Sequence, residues 1–423
     1  DENKLPPYRR PDIMEKKVYT LPAETKTSPD YEWGDGVFTL LSWFKKEKVK
    51  DARVLVAGAG ALGNEVVKNL ALFGVGHIFV VDFDDIEISN LTRSVLFREE
   101  DAREHRFKAE VVAERAREIN PQIKVTPIVG NLFSEVGLGL YRSVDVVVGC
   151  LDSRMARYLL NRLCMRAGKQ WVDGGIENLT GNVRVFGPGV SCYECSLSRE
   201  EFNNLMLRTG CADVVRTQTS AGRVATTPIS ASIVGAIEVQ EAMKVIHANE
   251  HEKSPFKTLL GKLWRFDGMT NSFSQFKYAS WKEDCPAHEY WDEVVKCPGL
   301  SAQMTVKDAM DCIKRQLGVD AIEVNMRNNK FVEKIISDKP EKVFQVMTPE
   351  SKLDALIKAD EEMRKLSYKT IFHKSFYENI DDSFPYPQLT LQQVGIPPYD
   401  VLQVATPKGQ FYVELTADAE LYA

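Results

Sequence analysis

Apolar runs and helix-spaced amphipathic stretches alternate between residues 53 and 187, the most regular pattern in the chain. Short continuous apolar segments at 53–57, 77–82, 124–128, 144–149, 170–173 and 182–187 predict buried strands. Between them, 62–73, 107–119 and 153–167 read as helices, and Asn120-Pro121 stops the second of these. Strand and helix thus alternate as a doubly wound, Rossmann-like and mostly parallel α/β sheet requires. Residues 1–37 lack sustained periodicity and read as an N-terminal arm, followed by a short amphipathic helix over 38–48 with Leu40, Leu41 and Phe44 on one face. The alternation breaks at 196–228, a polar stretch running through Thr217-Gln218-Thr219-Ser220-Ala221-Gly222 that reads as a mobile loop. A long helix over 229–248 follows, with Ala231, Ser232, Gly235 and Ala236 suiting close packing, and then strands at 258–266 and 273–279.

After Cys297-Pro298-Gly299 the pattern changes. A helix at 305–317, two short strands within 320–336 around Asn328-Asn329, a helix at 352–366 and a hairpin of 401–404 with 411–415 predict a small α+β domain over 302–423. The residues before it, 38–299, form the larger unit.

The chemistry concentrates where the first apolar run meets Gly58, Gly60 and Gly63 and the second ends on Asp82. That is the grammar of a mononucleotide-binding β-α-β unit. Gly58 permits a tight turn, Gly60 lets backbone approach a phosphate, and Gly63 lets the helix sit close to the strand. Asp82 is placed to accept hydrogen bonds from a ribose. A dinucleotide oxidoreductase would share these features. However, Ser89-Asn90-Leu91-Thr92-Arg93 and Lys108 put an amide and two cations just past the ribose carboxylate. Hydride transfer has no use for them, whereas a triphosphate losing pyrophosphate does, so they favour ATP over NAD.

Composition narrows the partners. The chain has 423 residues, 44% of them apolar and 27% charged, with a net charge of −6 that argues against a nucleic-acid surface. No apolar run reaches the roughly 18 residues of a membrane span and no signal peptide opens the chain. Eight cysteines are too sparse for a disulfide scaffold, which points to a reducing, cytoplasmic setting. Cys192-x-x-Cys195 and Cys285-x-x-His288 are chelating turns whose spacing suits one tetrahedral Zn²⁺, with Cys297 as the alternative to His288. A redox C-x-x-C is disfavoured, because the pair follows Gly187-Pro188-Gly189 in a loop and not a strand at the start of a helix. Cys150 and Cys164 fall in an apolar strand and helix, and Cys312 in an amphipathic helix, so all three read as buried.

Taken in order, Gly58-Ala-Gly-Ala-Leu-Gly63, Val81-Asp-Phe-Asp84, Ser89-Asn-Leu-Thr-Arg93, Lys108-Ala109, Gly149-Cys-Leu-Asp-Ser153 and the two cysteine pairs resemble one family. It is that of the ubiquitin-activating enzymes and the adenylyltransferases that activate sulfur-carrier proteins, and the resemblance runs over about residues 38–290. It implies that Asp82 holds the ribose, that Asn90, Arg93 and Lys108 hold the triphosphate, and that Asp152 binds Mg²⁺ and orients the attacking carboxylate. Gly58, Gly60, Ala61, Gly63, Asp84 and Ser89 would complete the nucleotide site, and 196–228 would cross over it. The same resemblance makes Cys211, in Arg208-Thr-Gly-Cys-Ala-Asp213, the thioester nucleophile, with Arg208 and Arg216 near enough in sequence to lower its pKa. The chain departs from the family at Ser94 (usually Gln), His105 (often Gly) and Ala61 (frequently Gly), none of which removes a charge.

Leu389-Thr-Leu-Gln-Gln-Val-Gly-Ile-Pro-Pro-Tyr-Asp-Val-Leu is similar to the final, β-grasp-like ubiquitin-fold domain of the ubiquitin-activating enzymes, which recruits the conjugating enzyme. A sulfur-transferring rhodanese tail would need a catalytic cysteine, and none follows Cys312. The reading is therefore an activating enzyme for a ubiquitin-like protein. It adenylates the modifier's C-terminal glycine with Mg-ATP, forms a thioester on Cys211 and hands over to a conjugating enzyme docked on 302–423. A homodimer is expected, with Arg9 or Arg10 as the candidates to reach the partner's ATP. The alternative is a sulfur-carrier adenylyltransferase of the molybdopterin or thiamine type, which stops at the acyl-adenylate. A catalytically dead subunit is disfavoured by the presence of Asp82, Arg93, Lys108 and Asp152.

Overall fold

A computed structural model describes residues 31–207, 226–248, 256–327, 329–338, 340–368, 370 and 372–423. Arg53–Ala57 (β1), His77–Asp82 (β2), Lys124–Val129 (β3), Val146–Gly149 (β4) and Trp171–Glu177 (β5) form the parallel part of an eight-stranded sheet. Thr180–Phe186 (β6), Lys262–Asp267 (β7) and Ser272–Lys277 (β8) extend it antiparallel, giving the order β3-β2-β1-β4-β5-β6-β7-β8. The chain runs outward from β1 through β2 and β3, then returns to the other side of β1 as β4. Such a reversal opens a crevice at the carboxyl ends of the strands.

Alternate residues of β1 feed opposite cores, as the two-residue period of a strand demands. Val54 and Val56 join Val66, Leu70, Val112 and Val234, from the helices Ala61–Phe73, Lys108–Ile119 and Pro228–His247. Leu55 and Ala57 join Leu138, Tyr141, Leu160 and Leu163, from the helices Leu138–Ser143 and Arg154–Arg166. Burial on both faces explains why β1, β2 and β4 read as nearly unbroken apolar runs.

Beyond the large sheet lie Val294–Cys297 (β9), Glu323–Asn325 (β10), Phe331–Asp338 (β11), Glu341–Pro349 (β12), Phe372–Tyr377 (β13), Asn379–Ile380 (β14), Val401–Thr406 (β15) and Gly409–Leu415 (β16). Five of them form a sheet in the order β14-β10-β15-β16-β9, and helix Val306–Leu317 shares its core. A separate sheet, β12-β11-β13, is inserted between β10 and β14 and is backed by the helices Glu350–Ala359 and Glu361–Ser367. This region packs on the large sheet's second core. Val401 and Tyr422 belong to that core, the Trp291 and Tyr412 rings stack at 4.2 Å, and the Leu138 and Gly139 amides donate to Asp400 Oδ1 and the Tyr399 carbonyl.

Several sequence expectations need correction. Residues 38–48 are not one helix. A 3₁₀ turn at Val37–Leu40 and a helix at Lys46–Asp51 are separated by residues that let Phe38, Phe44 and Phe73 pack ring on ring. Within the 196–228 loop, Arg199–Leu207 is helical. The 352–366 helix is two, because the Asp360 carboxylate accepts from the Glu362 and Met363 amides and starts a new one. Strands β9, β12, β13 and β14 had no counterpart in the sequence reading, and Cys312 is only half-buried. Among the described residues no helix is long and apolar enough to cross a membrane.

Candidate functional site: a nucleotide crevice and a cysteine–histidine group

The glycine turn closes the end of β1. Gly58 has φ +100°, and a methyl there would lie 2.5 Å from the Cys150 carbonyl oxygen at the end of β4. A methyl on Gly63 would overlap the Gly58 carbonyl. Gly60 faces open space and caps helix Ala61–Phe73 with no side-chain hydrogen bond, so the helix amides are free to meet an anion. Asn64 stiffens the turn from below by donating to the Ala59 and Gly60 carbonyls and accepting from the Leu96 amide.

Asp82 ends β2 beside this turn. Its carboxylate accepts from the Ala59 amide at 2.7 Å and the Asp84 amide at 2.9 Å. Burial pushes its pKa up, while the nearby Lys108 ammonium acts the other way. Lys108 opens helix Lys108–Ile119, with its side chain 12% exposed, and pairs with Asp84 at 2.7 Å. Ser89 and Asn90 lie on the 3₁₀ turn Ile88–Asn90, where Asn90 Oδ1 accepts from the Glu87 amide. Arg93 folds back to donate to the Ser89 carbonyl at 2.8 Å. Of the departures noted in the sequence, Ser94 is buried and Ala61 is the first residue of the glycine-turn helix. His105 has φ +50°, a left-handed geometry that explains why glycine also suits this position.

Asp152 follows β4, the strand next to β1, and its exposed carboxylate makes no hydrogen bond or ion pair among the described residues. The sheet topology therefore carries the glycine turn, Asp82 and Asp152 to one end of three neighbouring parallel strands. Cys211, Arg208, Arg216, Arg9 and Arg10 lie outside the described residues, as does most of 196–228 beyond Leu207.

Cys192, Cys195, Cys285 and His288 offer ligand atoms that all lie within 4.8 Å of one another. Cys192 Sγ is 3.8 Å from both Cys195 Sγ and Cys285 Sγ, and Cys195 Sγ is 3.3 Å from His288 Nε2. A tetrahedral zinc with metal–sulfur bonds of about 2.3 Å has sulfur–sulfur edges of about 3.8 Å, so the donor set fits that ion. Burial pushes the Cys192 and Cys285 thiols up, the reverse of what a bound cation would do. Cys297 stands apart from this group, with its sulfur 3.4 Å from Cys312 Sγ, so His288 and not Cys297 completes the cluster.

Sequence reasoning missed a buried charge cluster behind the crevice. Asp173 on β5 is fully buried between Arg157 and Arg184, and Glu238 of the long helix lies against Gly174 with no hydrogen-bond partner among the described residues. Burial, and then the Asp173 charge, push the Glu238 carboxyl well above its ordinary 4.5. The available signal was a lone carboxylate in each of two apolar stretches, Trp171-Val-Asp173 and Ile237-Glu238-Val239. A carboxyl whose pKa is raised on folding stabilises the fold at low pH and loses that contribution as pH rises from its unfolded value through its folded one. Glu238→Gln should therefore melt with the wild type near pH 4 and increasingly above it towards pH 8. A melting difference that does not change over that range would refute the buried neutral carboxyl.

Comparison with known proteins matches residues 38–287 to the ThiF family. The "Adenylyltransferase and sulfurtransferase MOCS3" of Culex quinquefasciatus is 32% identical over 57% of this chain, which spans 50% of that relative's length. The "SUMO-activating enzyme subunit uba-2" of Caenorhabditis elegans is 37% identical over 36% of this chain and 27% of that one. Among solved structures, E. coli MccB with ATP superposes with a TM-score of 0.49 at 23% identity, covering 63% of this chain and 77% of that one.

Proposed function

Because the chain belongs to the ThiF family, we propose that it activates the C-terminal glycine of a ubiquitin-like protein with Mg-ATP. A carboxylate oxygen of that glycine attacks the α-phosphorus of ATP, the bond to the bridging oxygen breaks, and pyrophosphate departs. Such a displacement needs alignment and charge neutralisation more than a general base. Asp82 holds the ribose hydroxyls, the Gly58–Gly63 turn carries the phosphates, and Asn90, Arg93 and Lys108 neutralise the leaving group. Asp152 would hold Mg²⁺, which would supply further neutralisation of the departing pyrophosphate. The observation that carries the reading is Lys108, a nearly buried ammonium kept beside the ribose carboxylate by Asp84.

In the second half-reaction the Cys211 thiolate attacks the acyl carbon and AMP leaves, giving a thioester that passes to a conjugating enzyme docked on residues 302–423. The protein acts as a homodimer, and zinc on Cys192, Cys195, Cys285 and His288 serves structure alone. The test is purified protein with candidate carrier proteins and ATP on a non-reducing gel. A reductant-sensitive adduct is expected with the wild type and none with Cys211→Ala; an adduct that survives the substitution would remove Cys211 from the mechanism.

A second reading, adenylation of a sulfur carrier with no thioester, is favoured by the length of the match to the mosquito adenylyltransferase. ATP–pyrophosphate exchange with no adduct and no transfer would select it.

A further inference from the structure

We propose that Arg157, gripped by buried Asp173, is a positioning residue that presents the Asp152 carboxylate to the metal-bound nucleotide; this rests on the adenylation reading above. Among the described residues Asp152 is free at its carboxylate but pinned at both chain neighbours. On one side, Arg157 Nη2 donates to the Leu151 carbonyl at 2.7 Å and to the Gly174 carbonyl at 3.0 Å, tying the segment just after β4 to the middle of the adjacent strand β5 with one guanidinium. On the other, the Ser153 hydroxyl accepts from the Ala156 amide at 3.0 Å and caps helix Arg154–Arg166. Arg157 is itself aimed by its Nε, which donates to Asp173 Oδ1 at 2.8 Å.

Asp173 cannot drift, because Arg184 holds its other oxygen. Arg184 in turn lies 5.2 to 5.7 Å from the ring centres of Phe186, Tyr193 and Tyr278 and donates to the Tyr278 hydroxyl at 3.0 Å. Tyr278 bonds Ser196 at 2.5 Å, and Ser196 donates to the Tyr193 carbonyl at 2.6 Å, inside the Cys192-x-x-Cys195 turn. The turn carrying Asp152 is thus fastened, through a continuous chain of hydrogen bonds, to the Cys192-x-x-Cys195 turn. A carboxylate meant to meet a metal is only as well placed as the residues behind it.

Removing Asp173 would strand two guanidiniums in the interior, so the test uses milder changes. Arg157→Lys keeps the charge beside Asp173, but one ammonium cannot replace the planar fork that serves Leu151, Gly174 and Asp173 together. Ser153→Ala loosens the same turn from the other side without touching the buried cluster. Calorimetry measures ATP affinity with and without Mg²⁺, and the ratio of the two dissociation constants is the magnesium gain.

The wild type is expected to show a gain of about tenfold or more, which Asp152→Asn abolishes and Arg157→Lys cuts to about twofold. ATP affinity without Mg²⁺ and the zinc content should be unchanged in Arg157→Lys and Ser153→Ala. Ser153→Ala should reduce the gain in the same direction, and it decides the matter if Arg157→Lys does not fold. A wild type that binds no ATP, or whose affinity ignores Mg²⁺, would overturn the adenylation reading and this inference together. A wild-type gain lost in Asp152→Asn but intact in the folded Arg157→Lys and Ser153→Ala proteins would overturn this inference alone.

Discussion

Lys108→Ala should lower ATP–pyrophosphate exchange by about 10² to 10³, measured with whichever carrier protein supports the fastest wild-type rate, because a preorganised charge in a water-poor site is worth about 3 to 4 kcal/mol to a developing anion. Its melting temperature should hardly move. The Lys108–Asp84 pair has one partner with a side chain 51% exposed, and such pairs contribute about 1 kcal/mol or less to folding. The two magnitudes separate a functional lysine from a structural one: a large loss of rate in a protein of normal stability. Arg93→Ala should behave alike, since its one hydrogen bond among the described residues goes to a carbonyl four residues back. Exchange within about threefold of wild type in both variants would exclude them from the leaving-group site.

Purified protein should contain about one zinc per chain, and stripping it should cause the largest loss of stability of any change considered. The donor group joins the turn after β6 to the segment after β8, bringing together three buried thiols and an imidazole stacked on Trp281 at 3.7 Å. Structural zinc contributes on the order of 10 kcal/mol in small domains, comparable to the whole stability of many proteins. Cys192→Ser should therefore melt far below wild type or fail to fold. Elemental analysis showing no zinc, or a melting curve indifferent to chelator, would refute the site.

How legible these features were depends on whether their causes are local. The strands of the parallel half sit between helices on both faces, so they had to be continuous apolar runs, and glycine punctuation marked their ends. The glycine turn, Asp82 beside it and the meeting of the two cysteine pairs could be read because each rests on a short local spacing. Strands β12 and β13 were not readable. They flank β11 as the edges of a small sheet, and their burial is too broken to stand out from a loop. The Arg157–Asp173–Arg184 cluster joins residues brought together only by the sheet, and nothing in sequence links Glu238 to Gly174 before the long helix crosses β5. The aromatic packing that splits 38–48 is likewise tertiary, with Phe73 supplied by another helix.

The seating of the C-terminal region on the large sheet has a consequence for delivery. With the Tyr399 carbonyl and Asp400 clamped by the Gly139 and Leu138 amides, and Trp291 stacked on Tyr412, that region is no swinging arm. A partner seated on it would be held at one bearing towards the nucleotide crevice, like a tool in a fixed vice. Any travel needed to bring an activated glycine to that partner would then fall to the cargo and the segment that carries it.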